Sequence, residues 1–167
     1  MSVVSITCRG IVCALATVIV AAPAVAHAQA PHVSFAGTWV LDAGKSDSSP
    51  LVPTGVKYVV TDSAGRINIW HEIAGTPTPN VGTLSFTTDG KPTTSRITTS
   101  AGPVDATTTG TWAGDTLRVK NAFSISGTDV VQTDAWTLSP DGKSITLARS
   151  VLAGGQPLAA KLVLVKQ

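Results

Sequence analysis

The sequence predicts an all-β domain, an antiparallel up-and-down β-barrel of about 8–10 strands. Three observations carry that expectation. Beyond residue 28 no stretch sustains an apolar period of three or four, so no amphipathic helix is indicated. Short alternations of period two recur instead, separated by residues that favour turns. Threonine is abundant and Glu72 is the sole glutamate, a balance that favours strand formers over helix formers.

The punctuation is regular: Ser63-Ala64-Gly65, Asp89-Gly90, Ala113-Gly114-Asp115, Ser126-Gly127, Pro140-Asp141-Gly142 and Gly154-Gly155. Glycine at such points supplies the positive φ that tight hairpins need. Between the turns, alternation assigns faces. In residues 66–73, Ile67, Ile69, His71 and Ile73 share one face, and Arg66, Asn68, Trp70 and Glu72 share the other. Leu84 and Phe86 alternate with Thr83, Ser85 and Thr87. From Leu117 the apolar face continues through Val119, Phe123 and Ile125, with Asn121 as a polar guest. Ile145, Leu147, Arg149 and Val151 line up, and residues 158–165 make the last strand. A hairpin succession of this kind closes as a barrel or packs as two sheets. Closure is the favoured reading, because it removes the edges of so uniformly β a chain. Two longer connections, residues 42–54 and 75–79, carry prolines that disfavour a helix in either place.

The first 28 of the 167 residues read as a secretory signal. Arg9 ends a short basic stretch, residues 10–25 are an apolar run, and Ala26-His27-Ala28 offers small residues where a signal peptidase cuts. The expected organisation is a cleaved signal over 1–28, a flexible arm over 29–36 and one barrel domain over 37–167. Export to the periplasm or the medium follows. The apolar run is short for a span, is interrupted by Pro23 and lacks a basic stop-transfer flank, so no stable membrane anchoring is expected. Cys8 and Cys13 both lie in the signal, which leaves the exported chain without a disulfide, a thiolate nucleophile or a cysteine metal site. Losing Arg9 from the 12 Lys and Arg leaves eleven, scattered among ten acidic residues. That balance argues against nucleic acid or an anionic membrane as a partner.

Reaction chemistry is sparse. His71 and Glu72 are neighbours, but successive strand residues point to opposite faces. No second His or Cys stands at metal-ligand spacing, no Gly-x-Ser-x-Gly elbow occurs, and Asp62, Asp89, Asp115 and Asp141 sit in turns. Neither an enzyme nor a cofactor nor a metal site is therefore expected. Four tryptophans against one tyrosine and three phenylalanines are more suggestive. They pack the core, or some of them line a pocket for an apolar ligand. Trp70, Trp112 and Trp136, with His71 and Arg149, form the candidate ligand-binding set. Arg149, between Leu147 and Val151 on an inward face, needs a partner there. A tryptophan face, a ligand carboxylate held bidentately, or a register one residue off, which would expose Arg149, all answer that need.

Phe35-Ala36-Gly37-Thr38-Trp39 resembles the opening strand of the calycin superfamily, which comprises lipocalins, fatty-acid-binding proteins and avidins. Thr133-Asp134-Ala135-Trp136 is similar to the lipocalin Thr-Asp-aromatic motif, with an alanine inserted before the aromatic. Arg149 falls where lipocalins carry an arginine packed on the Gly-x-Trp tryptophan. Across most of the exported chain the order of these features resembles small, exported bacterial lipocalin-like domains. That resemblance implies a barrel with Trp39 and Arg149 paired at its closed end. Residues 42–54 are too short and proline-rich for the lid helices of fatty-acid-binding proteins, and Leu41 stands where avidins have an asparagine. The function expected is non-enzymatic binding of a small hydrophobic or amphipathic molecule. The alternative is a barrel with a filled interior that engages a protein, in the manner of a protease inhibitor, through residues 29–34. Thr107, Thr109, Thr133, Ala135 and Ala148, read as inward, leave a hollow and a packed interior equally open.

Overall fold

The computed structural model describes residues 32–75, 80–99 and 102–167. The predicted signal, residues 29–31 of the predicted arm and most of the 75–79 connection lie outside that range. The first five strands are β1 (Gly37–Leu41), β2 (Gly55–Ser63), β3 (Arg66–Ala74), β4 (Asn80–Thr87) and β5 (Thr93–Thr99). They are followed by β6 (Gly102–Ala113), β7 (Thr116–Ile125), β8 (Thr128–Leu138), β9 (Ser144–Ala153) and β10 (Gln156–Lys166). One sheet runs in the order β4-β3-β2-β1-β10-β9-β8-β7-β6-β5, with every pairing antiparallel. The first and last strands pair, and the sheet's two ends, β4 and β5, come together beside the bridge between Asp89 and Thr111. The result is a nearly closed up-and-down barrel without helices among the described residues.

The predicted turns are where the chain reverses. Ala64-Gly65, Ser126-Gly127 and Gly154-Gly155 each hold two successive residues at positive φ. That is the two-residue hairpin whose twist suits the flanking strands. Register then defines two ends. The base carries the turns at 64–65, 114–115 and 140–142, together with Gly37 and the chain terminus. The mouth carries residues 42–54, Gly75 and the turns at 126–127 and 154–155.

Fully buried side chains fill the base: Phe35, Trp39, Ile67, Phe86, Leu117 and Leu164 among them. Phe35 lies between Trp112, stacked at 5.8 Å, and Trp136, edge-on at 5.7 Å. Its carbonyl accepts a 2.8 Å hydrogen bond from Trp39 Nε1, and His32 stacks on Trp112 at 4.3 Å. Residues 32–36 are therefore a plug, where a flexible arm was expected. The reason is apolar area: one phenylalanine ring packs against two indoles at the end of the barrel.

Trp39 also corrects the expected pairing with Arg149. Its cation is Lys166, whose Nζ lies 5.2 Å from the ring centroid. Trp39 pairs with Lys166 across β1 and β10, at the end of β10 that faces Ser144. Arg149 is five residues farther along β9, roughly 16 Å toward the mouth at a strand's rise per residue. Gly37 makes room for the lysine, with φ at +139° and a Cβ position only 2.9 Å from Lys166 Cε.

Two registers also differ from expectation. Ala106 and Thr108 on β6, and Asp134 and Trp136 on β8, are the buried positions, so Thr107, Thr109, Thr133 and Ala135 point outward, as does Ala148. β6 carries threonine on both faces, leaving alternation with nothing to read.

Beyond Leu41, residues 42–47 continue along β10 without forming a strand. Asp47 N donates to Lys161 O at 2.9 Å, Lys161 N donates to Asp47 Oδ2 at 2.7 Å, and Val163 N donates to Ser46 Oγ at 2.9 Å. Side chains thus satisfy the β10 amides that a longer β1 would have taken. The rest of the connection swings over the mouth.

Candidate functional site

Eight strands enclose an interior that side chains roughly fill, and ten enclose more. Here the base is packed, while the mouth half holds a cavity of about 640 Å³. That volume lies within the range of small-molecule sites, about 300–1,000 Å³. It excludes the filled interior of the alternative reading. Apolar residues form most of the wall, including Ile69, Ile73, Leu84, Val119, Phe123 and Val151. Pro50, Leu51, Val52 and Pro53 cover it from the mouth. A lid is present after all, made of turns in place of helices.

The polar groups gather at one level. Arg149 Nε donates to Asp134 Oδ1 at 2.8 Å and Nη2 donates to Oδ2 at 2.9 Å, a bidentate pair. The two residues face each other across β8 and β9, with their side chains only 12% and 8% exposed. Gln132 Nε2 adds a 3.0 Å bond to Asp134 Oδ2, and Arg149 Nη1 reaches Leu51 O in the lid at 3.4 Å. Tyr58 lies beside this pair, close enough for its hydroxyl to interact electrostatically with Arg149. Burial works against the charged guanidinium, but the Asp134 carboxylate outweighs it and the pKa stays above its ordinary value. The Tyr58 hydroxyl is likewise held above its usual pKa, chiefly by burial, and is neutral.

His71 faces Tyr58 across β2 and β3 and borders the cavity. Its imidazole lies over Gly82, where a Cβ would meet the ring at 3.1 Å. Burial lowers its pKa, and a hydrogen bond with Asn80 only partly opposes the shift, so the ring is neutral near pH 7. Asn121 completes the level, its Oδ1 accepting 2.8 Å from Thr108 Oγ1.

Of the five residues expected to meet a ligand, the cavity brings together His71, Trp136 and Arg149. Trp136 forms part of the floor, stacked on Tyr58 at 5.8 Å, and its buried Nε1 has no acceptor among the described residues. Trp70 and Trp112 are elsewhere. Trp70 lies outward on β3 with Lys57 Nζ 5.9 Å from its ring, because its strand puts the isoleucines inside. Trp112 belongs to the base plug with His32 and Phe35. Asp134, Tyr58 and Gln132 were missed as site residues. Asp134 stands seven residues before Asp141 and Arg149 eight residues after it, so their pairing rests on a hairpin register that symmetry about the turn alone does not give.

No protein-family model and no curated protein sequence matches the chain. Solved structures do resemble it, and their likeness is of fold. A zebrafish ileal bile acid-binding protein complexed with cholic acid superposes with a TM-score of 0.53 at 13% identity, covering 80% of this chain and 98% of that one. A Schistosoma mansoni fatty acid binding protein in complex with arachidonic acid gives 0.51 at 13% identity, covering 80% and 96%. A secretary abundant heat soluble protein from Ramazzottius varieornatus gives 0.53 at 14% identity, covering 80% and 95%. The chain thus has a calycin-type barrel fold, as its opening motif implied, with a cavity of ligand size inside it.

Proposed function

We propose that this protein is an exported, non-enzymatic carrier of a small apolar or amphipathic molecule, working in the periplasm or outside the cell. The observation that carries the reading is the 640 Å³ cavity, walled by apolar side chains and given a few convergent polar groups at one level. Two of the structural neighbours hold cholic acid and arachidonic acid, which lends the same sense to the interior. Inside the cavity His71 is engaged with Asn80 and Arg149 with Asp134, an arrangement that positions and satisfies polar groups without activating a nucleophile.

Titration with the neutral probe N-phenyl-1-naphthylamine tests binding. Saturable enhancement of its fluorescence, with energy transfer from Trp136, is expected at one site per chain. Val151→Trp, which fills the wall, should remove it. Failure of the probe, of retinoids and of fatty acids to bind the wild-type chain would defeat the reading. Export is checked by the mass of the protein recovered outside the cytoplasm, expected to begin at Gln29.

A further inference from the structure

Resting on that reading, we infer that the cavity selects an electrically neutral ligand with a hydroxyl or comparable head, and rejects carboxylates of the same size. Among the described residues, Arg149 is the only cation bordering the cavity and Asp134 the only anion, and they are bonded to each other through two short contacts. An arginine that recognises a carboxylate ligand offers that ligand its planar fork. In this chain the fork is already occupied. Nε and Nη2 are on Asp134, and Nη1 is turned to Leu51 O.

An arriving carboxylate would have to displace Asp134, leaving a buried aspartate without its partner, or lie beside it as a second anion. Either course is strongly unfavourable. An ammonium head meets the mirror-image obstacle in Arg149. For a neutral head the same floor is suitable. The neutral Tyr58 hydroxyl borders the cavity with a proton to donate, while the Asp134 carboxylate retains acceptor capacity beyond the bonds it already makes. An alcohol both donates and accepts, matching the two. Neutral His71, one strand pair from Tyr58, adds no charge that would restore anion binding.

Dodecan-1-ol, dodecanoate and dodecylammonium, competing against N-phenyl-1-naphthylamine at pH 7.5, test this on the wild-type chain. The alcohol should displace the probe with an affinity about tenfold or more above either ion. Any dry pocket disfavours ions to some degree, so the Asp134→Asn chain supplies the second arm. With the arginine fork released, dodecanoate should gain about tenfold in affinity. Dodecanoate or dodecylammonium binding the wild-type chain as tightly as the alcohol overturns the inference, as does a folded Asp134→Asn chain with no gain for dodecanoate. Displacement by none of the three overturns it while leaving the carrier reading in place, whereas a wild-type chain that does not bind the probe removes both. Should Asp134→Asn fail to fold, the wild-type series decides.

Discussion

At the scale of single residues, the polar floor depends on matched partners. A buried ion pair is weak evidence of net stability, because desolvation offsets its attraction, but removing one partner strands the other. Arg149 and Asp134 are therefore better understood as specifying what the cavity accepts than as holding the barrel together. His71 has a consequence for pH. Burial lowers its folded pKa beneath the unfolded value near 6.5, so between those two values the unfolded chain binds more protons than the folded one. Stability is complete above about pH 6.5 and declines as pH falls through that window toward the folded pKa. Urea midpoints between pH 7.5 and 5.5 should fall for the wild type and stay nearly level for His71→Gln. Carboxylates such as Asp42, lowered by Lys45, and Asp141, lowered by Ser139, lose their contribution only at more acidic pH. What could be read of the floor from sequence was its inward arginine and histidine. The choice of Lys166 for Trp39 could not be read, since it depends on how the first and last strands meet.

Among the elements, the hairpins were the most legible part, because each turn carries its own chemistry at a defined place. Registers were legible only where the faces contrast. β3 separates isoleucine from polar residues, whereas β6 reads Ala-Thr-Thr-Thr-Gly-Thr and hides its inward face. Gly110 in that strand has a structural role the pattern could not reveal. It lies at the seam where the sheet's two ends meet, and a Cβ there would come within 2.6 Å of Phe86 Cδ2 and 2.9 Å of Thr87 O. A ring can turn, but the carbonyl belongs to backbone. Gly110→Ala should cost about 1–3 kcal/mol, seen as a lower urea midpoint with an unchanged slope.

For the whole molecule, strand count and closure were legible and the hollow was not. Alternation says which side chains turn inward, but empty volume depends on how ten strands tilt and how far the base plug rises. Phe35 marks that upper limit from below and the residues 50–53 mark the roof. Roof and floor are joined, since Arg149 Nη1 reaches Leu51 O while Asp47 and Ser46 fasten the same connection to β10. Affinity and traffic are consequently separate properties of this barrel. A guest entering past residues 50–53 is expected to be paced by loosening of that strap, its entry rate levelling off as guest concentration rises. Asp47→Ala, which removes one fastening without touching the cavity, should speed probe entry and departure together in stopped-flow measurements and leave the equilibrium constant nearly unchanged. That outcome would make the strap of turns over the mouth the timer of exchange.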